Sequence, residues 1–544
     1  MTAPENNSDL QSVLRYNAEL VKTVEQQQET IEQLREELAL YRRKLFGRSS
    51  ERFVDDESQL RLFETGDEQA SGDEIEDDQE DDSKPKRRRR KKKSEKIPSH
   101  LKRKVIEADV SPEQRMCSCC GDEMPIIGTD VTERVDLIPA ELFVWEIHRP
   151  KRACGRCKDT IVQVPAGEEP GGLTTPVPGS DYGFGVYTQI AVNKFADHLP
   201  LYRGEDIFAR AGMLIPRNTQ FGMLLNIATL ITGLLELMKS RVVSGDVIGA
   251  DDTTVRVQDP SLPGKMRTGR FWLYRGREDH PYNVFDFTES RGRDGPASFL
   301  KDFRGHATVD AYGVHQGVYL GATDRIYAAC CNSHARRKFT EAIPNDPVSA
   351  AHAISLYQGL YDIEDRCHDF SVADRLELRQ KESVVIMNEL HDWLIQKSSD
   401  PRVLPKSSIG KAVRYALNQW EELSVFLGDG AIPIDNNQTE SELRSLTIGR
   451  QNWLFVGSTR GGEVAAAMYS LVSSAARHKL DVWAYVDDCL RQLAGGSTDY
   501  ESLLPDIWRK AHPEAIRPYR EAEAQSRRLT TQQRRVRRRE ARVA

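Results

Sequence analysis

Residues 247–257 read VIGADDTTVRV, a run of β-branched residues with two adjacent carboxylates, Asp251 and Asp252, at its centre. Such a run is a strand, and four more of the same character follow: Arg270–Tyr274, Tyr282–Phe287, His306–Asp310 and Arg325–Cys331. The first three follow one another too closely for an intervening helix, so they meander. A helical stretch at Ala297–Phe303 precedes the fourth.

Three meandering strands, then helix and strand, is the ribonuclease-H-like order, whose centre gathers carboxylates from the first strand, the fourth strand and a later helix. Here those are Asp251, Asp310 (in HATVDAY) and Glu440 (in IDNNQTESELR). Three such carboxylates suit two Mg²⁺ ions, one activating an attacking oxygen and the other stabilising the leaving oxygen of a phosphodiester. Neighbours on a strand face opposite ways, so only one of Asp251 and Asp252 joins the cluster. Plainer readings compete: Asp310 as a turn cap, and Asn437 with Glu440 as a capping box.

Outward from this core, 544 residues exceed one ordinary domain. The net charge of −7 averages unlike segments: residues 55–82 hold 14 acidic side chains, whereas Lys84–Lys93 is basic throughout except at Pro85. Residues 53–104 therefore form a disordered acidic-then-basic linker. Before it, Val13, Leu20, Leu34 and Tyr41 alternate with Val24, Ile31, Leu38 and Leu45 at heptad spacing, with Asn17 and Gln27 on the same seam, which predicts a coiled coil over 8–52 that joins protomers. The apolar stretch Phe221–Leu235 is broken by Asn226, Thr229 and Thr232, and the N-terminus has no secretory pattern. The expectation is a soluble intracellular protein without membrane contact.

Four of the nine cysteines form two CxxC knuckles, Cys117 with Cys120 and Cys154 with Cys157. Two knuckles complete a tetrahedral thiolate shell for one structural Zn²⁺ in a small β domain over 105–166. Over 184–240 the chain reads as helices. A helix, an Ala211-Gly212 turn and a second helix opened by Pro216, Arg217 and Asn218 suit a DNA-reading helix-turn-helix, and equally an ordinary helical hairpin. Residues 344–427 are helical, with Ile409, Val413, Ala416, Trp420, Leu423 and Leu427 in one apolar stripe, and the tail 496–544 ends in eight arginines from Arg527 onward.

Taken in order, LFGRSSER (45–52), RPKRACGRC, ADHLPLYRGEDIFARAG, ADDTTV, VDAYG, CCNSHARRKF, GKAVRYALNQW and PIDNNQTESELRSLTIGRQNWLFVGSTRGGE give the chain a resemblance, through nearly its whole length, to transposases of the insertion-sequence-66 family, in the DDE superfamily. The resemblance implies an α/β ribonuclease-H-like core over 244–343 and 428–495, split by the helical insertion, with Asp251, Asp310 and Glu440 as the catalytic, Mg²⁺-binding triad. Mn²⁺ would substitute for Mg²⁺. Cys331 and His334 match a C-x2-H signature of several DDE groups and are read as core architecture beside the site. Arg444 and Arg450, near Glu440, are candidates for phosphate, as Arg217 and Asn218 are for DNA. The family usually has Glu at position 252 and Pro at position 445, where this chain has Asp and Ser.

The function so implied is a multidomain transposase that binds the terminal inverted repeats of its element, cleaves there, and joins the ends to target DNA, with accessory proteins of the same element as further partners. A catalytically inactive zinc-containing DNA-binding regulator and a structure-selective nuclease on the same fold are the rival expectations.

Overall fold

The computed structural model describes residues 142–144, 146, 148, 152–153, 161–162, 175–259, 264–290, 292, 294–309, 325–523, 525–526, 529–530 and 533. The expected coiled coil, the linker, Cys117, Cys120, Cys154, Cys157, Asp310 and most of the Arg-rich tail lie outside these residues. The chain divides into a large unit (1–64, 148–206 and 215–544) and a small one (65–147 and 207–214). In the small unit, Gly212 at φ +109° turns the chain and the Met213 N–H bonds the Phe208 carbonyl at 3.1 Å.

The large unit is built on a mixed sheet of Val247–Gln258 (β1), Met266–Gly276 (β2), Asn283–Thr288 (β3), Gly305–Val309 (β4) and Ile326–Cys330 (β5), in the order β3-β2-β1-β4-β5. β1, β2 and β3 are antiparallel neighbours, while β4 runs parallel to β1 and β5 parallel to β4. All five strands fall where their β-branched runs predict, with β2 extended so that Met266 still pairs with Gln258. β1 is buried through Val247–Ala250 and then alternates, Val255 and Val257 inward and Arg256 and Gln258 outward. That switch marks where helices stop covering both faces of the strand. A short strand not foreseen from the sequence, Phe455–Val456 (β6), pairs with Arg256 and Val257 at the far end of β1.

Helices Phe184–Phe195 (α1), Leu201–Arg210 (α2), Arg217–Leu230 (α3) and Thr232–Ser244 (α4) precede the sheet, and Asp294–Phe299 (α5) joins β3 to β4. Asn332–Ala342 (α6) follows β5, and then come Pro347–Arg366 (α7), Val372–Leu378 (α8), Val384–Ser399 (α9), Ser408–Asn418 (α10) and Trp420–Ser424 (α11). The chain returns to the sheet as Asn437–Trp453 (α12) and continues as Thr459–Arg477 (α13), Val482–Ala494 (α14) and Pro505–Ala511 (α15). Among the described residues no single helix is long and apolar enough to cross a membrane.

β3 is an edge strand, and α13 covers it. The Phe285 N–H donates to Ser470 Oγ at 2.8 Å and the Asn283 N–H to Ser474 Oγ at 3.0 Å, with Ser474 donating back to the Asn283 carbonyl at 3.1 Å. The match is geometric: four helical residues rise about 6 Å and two strand residues about 6.8 Å, so serines at i and i+4 meet successive outward-facing amides. An exposed row of backbone donors, open to pairing with another chain, is thereby used up.

Helices α6, α7, α9 and α10 close around Phe339, Tyr357, Leu360, Leu390, Leu394, Ile409, Val413 and Ala416, and this core continues onto Val247, Ala329 and Cys330 of the sheet. The expected apolar stripe is not one helix. It breaks at Gln419, so Leu423 lies on α11 and Leu427 ends a 3₁₀ turn, Val425–Leu427. Between α8 and α9 a π-helical turn, Arg379–Ser383, places the Arg379 guanidinium inside this core, 1% exposed. Its Nε and Nη2 bond the two carboxylate oxygens of Glu364 at 2.8 and 2.6 Å, and Nη1 bonds the carbonyls of Phe426, Asp429 and Ile432 at 2.8–2.9 Å. Three carbonyls of the segment leading into α12 are thus held by that one side chain.

Candidate metal and nucleic-acid site

The site forms along the middle of β1. Among the described residues β4 pairs with β1 at Val247–Gly249, and the residues that follow on β1 are met by α12. Asn436, the N-cap of α12, donates from Nδ2 to the Ala250 carbonyl at 3.0 Å. At the other end of the helix, Arg450 Nη1 bonds Thr253 Oγ1 at 2.7 Å and also the Thr254 carbonyl. Gly249 permits this approach, because a Cβ there would strike Thr439 Oγ1 and crowd Asn436. α12 is thus strapped along the stretch of β1 that carries Asp251 and Asp252, with Glu440 in its first turn.

The two aspartates have separate surroundings. Asp252 forms an ion pair with Arg270 of β2, the side chains being 8% and 11% exposed, so its charge is spent inside the sheet. Asp251 is half-buried and accepts the Asp252 N–H at 2.8 Å through Oδ1. Glu440 does not act in a capping box: the helix begins at Asn437, its N-cap Asn436 makes no side-chain capping bond, and Glu440 is the fourth helical residue, one past the capping-box position. Asp435 orders the entry to the helix, accepting Asn437 N at 3.1 Å, Asn437 Nδ2 at 2.7 Å and the Tyr361 hydroxyl at 2.9 Å, and burial pushes its carboxyl above the usual carboxylate range.

A second helix start converges here. Cys331, the N-cap of α6, donates its N–H to Val309 of β4 at 3.1 Å, and its thiol, pushed well up by burial, accepts the Asn436 N–H at 3.3 Å. Asn332 ties the same turn to the insertion, Nδ2 reaching the carbonyls of Leu423 and Ile434 at 3.0 and 3.1 Å. One turn on, His334 Nδ1 stands 3.7 Å from Glu440 Oε1. Ligand atoms of Cys331, His334 and Glu440 all lie within 4.8 Å of one another. Glu440 Oε1 and His334 Nδ1 are buried without a hydrogen-bond partner.

Asp251 and Glu440 offer carboxylate oxygens, hard donors of the kind Mg²⁺ or Mn²⁺ prefers. These two carboxylates therefore fit a hard divalent ion. Arg444 is exposed on α12, whereas Arg450 is turned inward, its guanidinium pKa lowered by burial. On α3, Arg217 is 66% exposed, with its backbone N–H on Glu205 Oε1 at 2.6 Å, and Asn218 is exposed beside it. The other side of α3 holds buried Gln220, bonded to the Ile215 carbonyl at 2.8 Å, and Met223, Leu224 and Ile227. Asn436, Arg270 and Tyr361 went unmarked in the sequence. The paired asparagines of IDNNQ, just ahead of a helix, are the one local signal for Asn436.

Comparison with known proteins adds three family matches. Residues 179–464 match the model "Transposase IS66 family", which takes in Asp251, Asp310 and Glu440. Residues 114–158 match "zinc-finger binding domain of transposase IS66" and include all four knuckle cysteines, while residues 33–106 match "Transposase C of IS166 homeodomain". Two uncharacterised proteins of Sinorhizobium fredii are similar over most of their length. y4jD is 32% identical over 433 residues, 76% of this chain and 81% of that one, and y4qI is 33% identical over 426 residues, 75% and 76%.

Proposed function

The chain belongs to the IS66 transposase family, and from that premise we propose that it is a DDE transposase that cleaves at the terminal inverted repeats of its insertion sequence and joins the ends to target DNA. The fastening of α12 to β1 is the observation that carries the reading: Asn436 Nδ2 on the Ala250 carbonyl and Arg450 Nη1 on Thr253 Oγ1 hold the helix whose first turn bears Glu440 along the strand that bears Asp251. The strand order β3-β2-β1-β4-β5, three strands antiparallel and two parallel, supports a ribonuclease-H-like core.

Asp251, Asp310 and Glu440 would hold two Mg²⁺ ions, with Mn²⁺ as a substitute. When bound, such ions supply the positive charge that favours ionisation of the attacking oxygen and departure of the leaving one. Asn436 and Arg450 set the helix that aims Glu440, and Arg270 keeps Asp252 out of the cluster. Water attacks the phosphodiester at the element end, and the 3′ oxygen leaves and takes up a proton; in the second step that 3′-hydroxyl gives up its proton and attacks a target phosphodiester, whose P–O3′ bond breaks so that the target's 3′ oxygen leaves and is protonated. No covalent enzyme intermediate is required. The zinc-finger domain, whose thiolates hold one structural Zn²⁺, and the 184–240 helices with Arg217 and Asn218 bind the element ends. The coiled coil assembles protomers, and the work is done at the nucleoid in the cytoplasm with accessory proteins of the element.

An assay with labelled element ends tests this. Asp251→Ala, Asp310→Ala and Glu440→Gln are each expected to abolish cleavage and joining while end binding persists. Binding without cutting by the parent chain would make it a regulator, and cutting without joining a nuclease. Asp252→Ala is the control with a different failure: it strands the Arg270 charge and lowers the melting temperature, yet the folded fraction keeps its activity.

A further inference from the structure

Cys331, His334 and Glu440 form a set of donors that the proposed strand-transfer chemistry does not use up. The 3.7 Å between His334 Nδ1 and Glu440 Oε1 is too long for a hydrogen bond. It does match two ligands of one tetrahedral ion, which stand about 3.3 to 3.8 Å apart when metal–ligand bonds are about 2.0 to 2.3 Å. Both atoms are buried, and neither has a hydrogen-bond partner. Two buried acceptors, or one acceptor and one ring nitrogen, left facing each other without a donor between them represent a cost that a cation removes.

The third donor decides which cation. Cys331 Sγ lies within 4.8 Å of the other two ligand atoms, at the start of α6, held there by its own N–H on Val309 and by the Asn436 N–H on the sulfur. A thiolate and an imidazole are poor ligands for Mg²⁺ and good ones for Zn²⁺. The backbone places all three: Cys331 and His334 are N-cap and third residue of one helix, on one face, and Glu440 is in the first turn of another. We propose that Cys331, His334 and Glu440 bind one zinc-type ion, separate from the knuckle zinc and from the hard divalent ions of the proposed reaction, with Glu440 contributing Oε1 and its other oxygen left for the aspartate side. Binding releases the Cys331 proton to solvent, and three protein donors leave a fourth position for water. The proposal goes beyond the transposase reading, sharing with it only Glu440.

Metal content and cobalt spectra of the full-length chain test it. The parent chain should carry one zinc more than Cys331→Ser and one more than His334→Ala, and Asp251→Asn should leave the count alone. In a Cys154→Ala, Cys157→Ala background, added Co²⁺ should give a thiolate-to-cobalt charge-transfer band that Cys331→Ser abolishes and excess Mg²⁺ does not displace. His334→Ala, at a half-buried position, serves if Cys331→Ser fails to fold. Equal zinc in the parent, Cys331→Ser and His334→Ala chains overturns the proposal, as does a cobalt band indifferent to Cys331. Loss of zinc in Asp251→Asn alone also overturns it, by assigning the ion to the aspartates. Strand-transfer assays on the same variants report separately on the catalytic reading, since Asp251→Asn should lose activity and keep its zinc.

Discussion

The insertion core and the end of β1 both bury charge, and they do so in opposite ways. In the insertion, Arg379 meets both oxygens of Glu364 and three carbonyls, so its buried guanidinium is matched almost donor for donor. At the junction of β1, α6 and α12, Glu440 Oε1, His334 Nδ1 and Asn436 Oδ1 are buried with no partner. A satisfied buried network rigidifies a fold, whereas an unsatisfied one is retained against stability and marks a place kept for something else. The first region holds the second in position: the carbonyls that Arg379 grips, from Phe426 to Ile432, lie just ahead of the Asp435-Asn436 entry to α12.

The largest effect is therefore expected in the insertion. Arg379→Met leaves the Glu364 carboxylate and three carbonyls buried without a donor, which should cost about 3 to 5 kcal/mol, read as a lowered midpoint of chemical unfolding by tryptophan fluorescence. Adding Glu364→Leu should recover part of the loss, since an apolar pair of similar size is tolerated where half an ion pair is not. His334→Leu, at the other end of the comparison, should leave the midpoint unchanged or raise it when both it and the parent chain are unfolded after metal removal by chelator, since the bound ion would otherwise add its own stability to the parent. If His334→Leu destabilises the chain as much as Arg379→Met does, the contrast between the two regions fails.

A middle-sized effect belongs to the edge of the sheet. Ser470→Ala with Ser474→Ala removes the hydroxyls that occupy the outward amides of β3 and should cost about 1 kcal/mol each. The unfolding midpoint reads the sum. The double variant should also self-associate more readily in light scattering, because the freed amides offer an edge for pairing. A chain that loses stability without associating would show that α13 still shields the edge by bulk alone.

Much of this organisation was legible in the sequence because it is local. β-branched runs mark the five strands, and the spacing that leaves no room for a helix between the first three sets their antiparallel order. Asp251 and Glu440 stand out because a carboxylate within a strand or in a helix's first turn is chemically conspicuous. What escaped is long-range. Arg379 in RLELRQKES looks like one more solvated charge, and only the fold brings Glu364 and the Phe426–Ile432 carbonyls to it. β6 is two residues long and entered through Leu454 at φ +66°, so no periodicity announces it. From the sequence, Cys331 and His334 read as core beside the site. Their meeting with Glu440 depends on two helix starts 105 residues apart, Cys331 and Asn436, joined by an N–H···S contact and by the bonds of Asn332 to the Ile434 carbonyl.

The smallest expected effect separates two arginines on one helix. Arg444 is exposed and Arg450 is tied to Thr253 and Thr254 of β1. If α12 serves DNA through its outer face and the sheet through its inner face, Arg444→Ala should leave the melting temperature unchanged. It should weaken binding of element ends and reduce the slope of log K against log salt by about 1, the loss of one phosphate contact. Arg450→Ala should do the reverse, keeping the salt slope and lowering the melting temperature modestly, because it loosens the strap that holds Glu440 along β1. A salt slope for Arg444→Ala equal to the parent's would mean that α12 meets no phosphate at Arg444. A salt slope that falls with Arg450→Ala instead would mean that its bonds to the strand give way to DNA, and that the inner face of α12, where Glu440 and His334 meet, is the face that opens to substrate.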